Sequence, residues 1–179
     1  FFSYATGNFQ PVSDKITSIV VHVMVDGEGN AWLSTEGQGL FRYNLANHEC
    51  MPYPVKPLQG SVAATLVDVN NQVWALSFKR NGGLARLNKS TDTFESVQLH
   101  GDATHLSGMA MMALQDGSIM VGTWDQGLYQ VMPDGTTKML MSATLTNVLK
   151  HIHNLYNDRG RFALIGSDDG LVEYNLQDH

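Results

Sequence analysis

Short apolar runs alternate along this chain with clusters of glycine, asparagine and aspartate, and the alternation repeats. Residues 25–43 read VDGEGNAWLSTEGQGLFRY: strand, polar turn, strand, glycine turn, strand. The same grammar returns as DVNNQVWALSFKRNGGLARL at 68–87, QDGSIMVGTWDQGLYQV at 115–131 and NDRGRFALIGSDDGLVEY at 157–174. A Gly-Leu pair marks the register in each copy, and its leucines (Leu40, Leu84, Leu128 and Leu171) lie 44, 44 and 43 residues apart. A period in the low forties built from short strands predicts an all-β fold, a β-propeller of four-stranded antiparallel blades.

The phase of the repeat sets the predicted boundaries. Residues 1–13 read as the end of a preceding blade, with Tyr4 at the position of Tyr43, Leu87, Val131 and Tyr174. Full blades follow at 16–54, 62–99 and 107–141, and an incomplete one at 148–179. The run Ile19–Val25, apolar on both faces, is expected to be an inner strand covered on both sides by neighbouring sheets. Trp32 and Trp74 occupy one repeat position, taken by Met120 and Leu164 in the later copies. About four blade equivalents are present. A four-stranded blade cannot bury both faces alone, so the expected architecture is a fragment of a larger propeller. Its open sides would be completed by the remaining blades or by a second chain. The alternative is a ring in which the opening strands complete the last blade.

Composition narrows the function classes. With 179 residues and 43% hydrophobic residues the chain is long and apolar enough for a core. A net charge of −6 and the absence of a basic patch argue against direct nucleic-acid contact. No apolar run reaches the roughly 18–20 residues of a membrane span, so no membrane contact by this segment is expected. Cys50 is the single cysteine and forms no internal disulfide. No signal peptide is visible at the start, Phe1-Phe2-Ser3-Tyr4.

Candidate chemistry concentrates in the glycine turns, which a propeller gathers on one end near its axis. They carry Glu36 and Gln38 in the first repeat, Phe78, Lys79 and Arg80 in the second, Trp124 and Asp125 in the third, Asp168 and Asp169 in the fourth. Trp124, Asp125, Lys79, Arg80, Glu36 and Asp168 are the ligand-binding candidates, since one aromatic beside a few polar groups is the usual make-up of a small-ligand site. Trp32 and Trp74 have faces suited to a sugar ring, yet their recurrence, and replacement by Met and Leu, fits core packing better. His151 and His153, two apart on a strand, would share a face. With His22 they could line the channel, but no carboxylate or cysteine stands near them in sequence at metal-ligand spacing, so a satisfied pair is the expectation. The loop Asp26-Gly27-Glu28-Gly29-Asn30 lacks the sixth-place glycine and twelfth-place glutamate of a calcium loop, and is one residue too long for an Asp-box hairpin. No paired catalytic carboxylates, nucleophile elbow, zinc-protease motif or P-loop is present. No metal, cofactor or catalytic residue is expected.

The phased pattern D-x-x-G-N-x-W-[LIV]-[GS]-T followed by G-G-L-x-R-[YL] resembles the propeller repeat in the periplasmic sensor region of hybrid two-component histidine kinase/response regulators. Asp26, Gly29, Asn30, Trp32, Thr35, Gly39, Leu40, Arg42 and Tyr43 carry the match in the first copy. The second keeps Asp68, Trp74, Gly82, Gly83, Leu84 and Arg86, the third Asp116, Gly117, Gly122, Thr123, Gly127 and Leu128, and the fourth Gly160, Gly166, Ser167, Gly170 and Leu171. The resemblance implies a periplasmic, non-catalytic signal-input segment of an inner-membrane parent, itself a homodimer. It also implies an oligosaccharide ligand and control of polysaccharide-utilisation genes. The alternatives from other classes are a propeller-fold lyase or glycosidase, and a protein-interaction scaffold.

Overall fold

The computed structural model describes residues 2–9, 11–58, 61–79, 82–99, 107–141, 149 and 151–177. After a two-stranded ribbon of β1 (Phe2–Ser3) and β2 (Asn8–Phe9) come four antiparallel sheets in chain order. The first is β3 (Val20–Val25), β4 (Asn30–Thr35), β5 (Gly39–Asn44) and β6 (Cys50–Tyr53). A short 3-10 turn, Lys56–Leu58, leads to β7 (Ala64–Val67), β8 (Val73–Leu76), β9 (Leu84–Asn88) and β10 (Thr93–Val97). The third sheet is β11 (Gly108–Ala113), β12 (Ile119–Thr123), β13 (Leu128–Val131) and β14 (Thr137–Met141). The fourth holds β15 (Ile152–Asp158), β16 (Phe162–Ser167) and β17 (Gly170–Asn175), and among the described residues β17 has no outer partner. Each strand pairs with the next, as in propeller blades, and the four sheets are four successive blades.

Period-two alternation sends every second side chain to the next blade. Trp32, Leu40 and Tyr53 of the first blade meet Val73, Ala75, Leu87 and Phe94 of the second. Trp74, Leu76 and Leu84 meet Ile119, Val121 and Tyr129 of the third. Met120 and Leu128 meet Ile152, Ala163 and Ile165 of the fourth. The repeated plug position therefore lies between blades: Trp32, Trp74 and Met120 are fully buried, while Leu164, on the far face of the last described blade, is only half-buried. Packing is close enough that a Cβ on Gly108 would lie 2.3 Å from Leu76, and one on Gly122 2.4 Å from Ile152.

A second repeated unit holds the opposite end of the blades from the glycine turns. The Asp26 Oδ1 accepts the backbone N–H of Glu28 and of Asn30, both at 2.9 Å, and its Oδ2 accepts the Trp32 indole N–H at 2.8 Å. Asp68 repeats this with Asn70, Gln72 and Trp74. Arg42 and Arg86, on the neighbouring strands, lie over the indoles of Trp32 and Trp74 at 6.0 and 5.8 Å. The third blade departs from the sequence expectation. Its hairpin closes on the backbone N–H of Leu114 bonded to Ser118 O, as Asp26 bonds to Asn30 O, so Leu114 and not Asp116 is the counterpart of Asp26. Leu114, Met120 and Gln130 thus stand where the other two blades have Asp, Trp and Arg.

The first inner strand also differs from expectation. β7 and β11 are flanked by sheets on both sides, but Val20, Val23 and Val25 of β3 are 40–52% exposed, because among the described residues no blade lies on that side; Val21, at the register shift between Val20 and His22, is 47% exposed and faces the cleft described below. The first-blade side chains on the same face that sit farther from the axis (Ala31, Leu33, Phe41 and Cys50) are buried, with Ile16 and Tyr43 packed against them.

Candidate functional site

The end of the molecule that carries the glycine turns is built by one device in three blades and a variant of it in the second. A hydroxyl residue closes the second strand of every blade: Thr35, Ser77, Thr123 and Ser167. The Thr35 and Thr123 hydroxyls donate to the carbonyls of Gly39 and Gly127 at 2.7 and 2.8 Å, and the Ser167 hydroxyl donates to Gly170 O at 3.3 Å. The Ser77 backbone N–H bonds to Gly83 O, and its hydroxyl oxygen accepts the N–H of Lys79. Gly39, Gly83, Gly127 and Gly170 all have positive φ, 76° to 121°, which glycine adopts at no steric cost. The residue after the hydroxyl is then held by its backbone in the first three blades. Glu36 N–H bonds to Ile19 O and Trp124 N–H to Ser107 O, both at 2.9 Å. These equivalent positions carry Glu36, Phe78, Trp124 and Asp168 in turn, two carboxylates flanking two aromatics.

The row divides into two linked neighbourhoods. In the first, a cleft of about 340 Å³ opens between the first three blades, lined by Val21, Glu36, Val62, Ala63, Phe78 and Met109 with Thr35, Gly37 and Ser61. The Phe78 ring is 53% exposed. The Ser107 hydroxyl donates to Phe78 O at 2.7 Å while Ser107 O accepts Trp124 N–H, which ties this cleft to the second neighbourhood.

There Trp124 stacks on His151, centroids 4.0 Å apart at 27°, and meets His153 edge-on at 5.7 Å. Both imidazoles bond to one carboxylate: His151 Nδ1 to Asp168 Oδ2 and His153 Nε2 to Asp168 Oδ1, each at 2.5 Å. These bonds, from His153 first and His151 second, hold the Asp168 carboxyl below the usual carboxylate range. His151 N–H also bonds to Trp124 O at 2.8 Å. Four of the five non-glycine residues with positive φ among the described residues sit in hairpin turns; the fifth is His151, at 56°. Such backbone conformations cost on the order of 1–3 kcal/mol and persist where surroundings fix them.

Of the six sequence candidates, Trp124 and Asp168 come together, with His151 and His153 between them. Asp168 is the carboxylate that sequence spacing did not place beside the histidines: it lies 17 and 15 residues further along, across the next strand pair. Glu36 belongs to the cleft. Asp125 and Lys79 are exposed on their turns and line neither the cleft nor the histidine cluster. Arg80, like His100, Asp102 and His105, lies outside the described residues. Phe78, named in its turn but not among the six candidates, lines the cleft; its register, one place after the closing hydroxyl, was the available signal. His22 lies away from the other two histidines, half-buried on the second-blade side of β3, with its Nδ1 buried and without a partner among the described residues. Burial pushes its pKa down. Asp26 and Asp68 spend their carboxylates on loop N–H groups and an indole, which leaves no open calcium loop.

No family model and no curated protein matches the chain. Solved structures do resemble it. The extracellular domain of BT4673, assigned to a hybrid two-component system of B. thetaiotaomicron, superposes with a TM-score of 0.75 at 23% identity over 93% of this chain and 22% of its own. That of BT3049, assigned to a hybrid two-component system of the same organism, gives 0.70 at 18% identity over 95% and 23%. Virginiamycin B lyase from Staphylococcus aureus gives 0.65 at 11% over 89% and 56%. At these identities the likeness is one of fold. The chain spans under a quarter of the length of the two extracellular domains.

Proposed function

We propose that this chain is the ligand-reading part of an extracytoplasmic signal-input module of a hybrid two-component sensor, and that its ligands are glycan fragments. The observation that carries the reading is the row Glu36, Phe78, Trp124, Asp168 at equivalent positions on one end of the blades, the first three held by their backbones and Asp168 by the two imidazoles. The exposed Phe78 ring and the Trp124 face not stacked on His151 suit the C–H faces of sugar rings, and the Glu36 carboxylate accepts their hydroxyl hydrogens. The fold shared with extracellular domains assigned to such systems supports it. In this reading the segment sits in the periplasm, in a parent protein anchored in the inner membrane and paired as a homodimer. It performs no chemistry. A ligand acts by binding one arrangement of the receptor more tightly than another, since only differential affinity moves such an equilibrium. The parent then regulates genes for polysaccharide use.

Titration of the chain with a panel of plant and host oligosaccharides, followed by calorimetry, tests this. Saturable binding is expected, weakened at least tenfold by Phe78→Ala or Trp124→Ala, with the oligosaccharides recovered intact. Absence of binding across the panel would sink the reading. A second reading, a propeller lyase or glycosidase, has one observation in its favour: two imidazoles oriented by one carboxylate can move a proton. It requires turnover, abolished by His153→Ala, in the same samples.

A further inference from the structure

The cleft between the first three blades is the wrong chemistry for a fully hydroxylated sugar. Its apolar lining is Val21, Val62, Ala63, Phe78 and Met109, and among the described residues Glu36 is the only charged group that lines it, with Ser61 beside it. The Thr35 hydroxyl at its edge is already given to Gly39 O. A hydroxymethyl group turned away from Glu36 and Ser61, against the apolar walls, would lose its water and find no partner there, which is costly. A methyl group in the same place buries apolar surface against apolar surface. At about 340 Å³ the cleft falls at the small end of ligand pockets, roughly 300–1,000 Å³, enough for one ring and its substituent. Glu36 is fixed at both ends of its peptide unit: its N–H bonds to Ile19 O, and its carbonyl accepts the Ser18 hydroxyl. Its carboxylate has no bonded partner among the described residues, so it stands ready to accept ring hydroxyls and to repel an anionic sugar.

Resting on the glycan reading above, we infer that this cleft is a subsite for a 6-deoxyhexose: the C6 methyl enters between Phe78, Met109 and Val21, and neighbouring ring hydroxyls donate to Glu36. Neutral sugars are accepted and uronic acids are excluded.

The test compares sugars that differ only at C6. Methyl α-L-rhamnoside is set against methyl α-L-mannoside, and methyl α-L-fucoside against methyl α-L-galactoside, by calorimetry or ligand-observed NMR on the whole chain. One 6-deoxy sugar should bind at least tenfold tighter than its hydroxylated partner, as one apolar group discriminates by about 10–200-fold in an apolar pocket. Phe78→Ser, and separately Met109→Ser on the opposite wall, should bring that pair within twofold. Glu36→Gln should keep the preference and admit a glucuronide that the unaltered chain rejects. N-acetylglucosamine is included because its acetyl methyl could enter instead; tighter binding of that sugar than of either deoxy sugar overturns the assignment. Equal affinity within both pairs, with oligosaccharides still bound, overturns the subsite and leaves the glycan reading standing. No saccharide binding of any kind overturns both.

Discussion

Three residues of the first blade act as one unit, and the third blade shows it by losing all three. Asp26 accepts the Trp32 indole N–H, and Arg42 lies over the ring; Asp68, Trp74 and Arg86 do the same one blade later. Burial pushes the Asp26 pKa up, but bonds from Asn30, Trp32 and Glu28 outweigh it and hold the carboxyl below its ordinary value. Removing one member strands its partners, whereas removing the set does not. Asp68→Leu alone is therefore expected to cost about 1–3 kcal/mol by orphaning the Trp74 N–H and two loop N–H groups. Asp68→Leu with Trp74→Met and Arg86→Gln, the combination of the third blade, should cost less than the sum of its single changes. A denaturant-melt cycle reads this; strict additivity would mean that the three are independent. His22 makes a prediction about pH. Its folded pKa is lowered by burial, so below about 6.5 the unfolded chain takes up a proton that the folded one refuses. Stability should fall as pH drops from about 6.5 until folded His22 itself protonates, and His22→Leu should flatten that slope in melts taken at successive pH values.

At the scale of strands and turns, much was legible in the sequence and the misses have physical causes. The Gly-Leu pairs located the turn before the third strand in every blade, because positive φ there leaves glycine as the residue of choice. The tryptophans read correctly as core because a recurring residue replaceable by Met is chosen for volume. The Asp-Gly pair at 116–117 misled, since its likeness to Asp26-Gly27 is local. The functional distance is the six residues from carboxylate to indole, and counting back from Met120 lands on Leu114. The two histidines were visible as a pair, but Asp168 reaches them across a strand pairing that no nearby spacing announces. Close approach between blades gives the prediction at this scale. Gly122→Ala places a Cβ 2.4 Å from Ile152, at the start of the last inner strand. It should destabilise by about 1–3 kcal/mol, and Ile152→Leu, which removes the Cγ2 methyl that the new Cβ meets, should recover part of that loss in the double variant. Equal melts for Gly122→Ala and the unaltered chain would show that the blades have slack there.

Over the whole molecule, the described blades form an arc in which each sheet touches its sequence neighbours, so stability is close to a sum of blade and interface terms. The valines of β3 are the exception to the burial that a run apolar on both faces implies. Half-exposed β-branched residues on an unpaired sheet face promote association. Val23→Lys, on that face, should reduce concentration-dependent self-association in sedimentation velocity while leaving the melting temperature within a few degrees. An unchanged distribution would mean that this face is inert in solution.

The four hydroxyl-closed turns separate two jobs that most surfaces combine. Hydroxyls, glycines and backbone bonds fix where the next residue stands, and they ask nothing of its side chain, which is Glu36, Phe78, Trp124 or Asp168 on scaffolds that differ little from blade to blade. The tips are thus free to vary while the handle is inherited. A lineage built this way can retune what it recognises by single substitutions at a few known places, and duplicated blades supply new places ready-made. Reading the residue after each closing hydroxyl then becomes a short code for comparing one such arc with another, even where little else in the two sequences agrees.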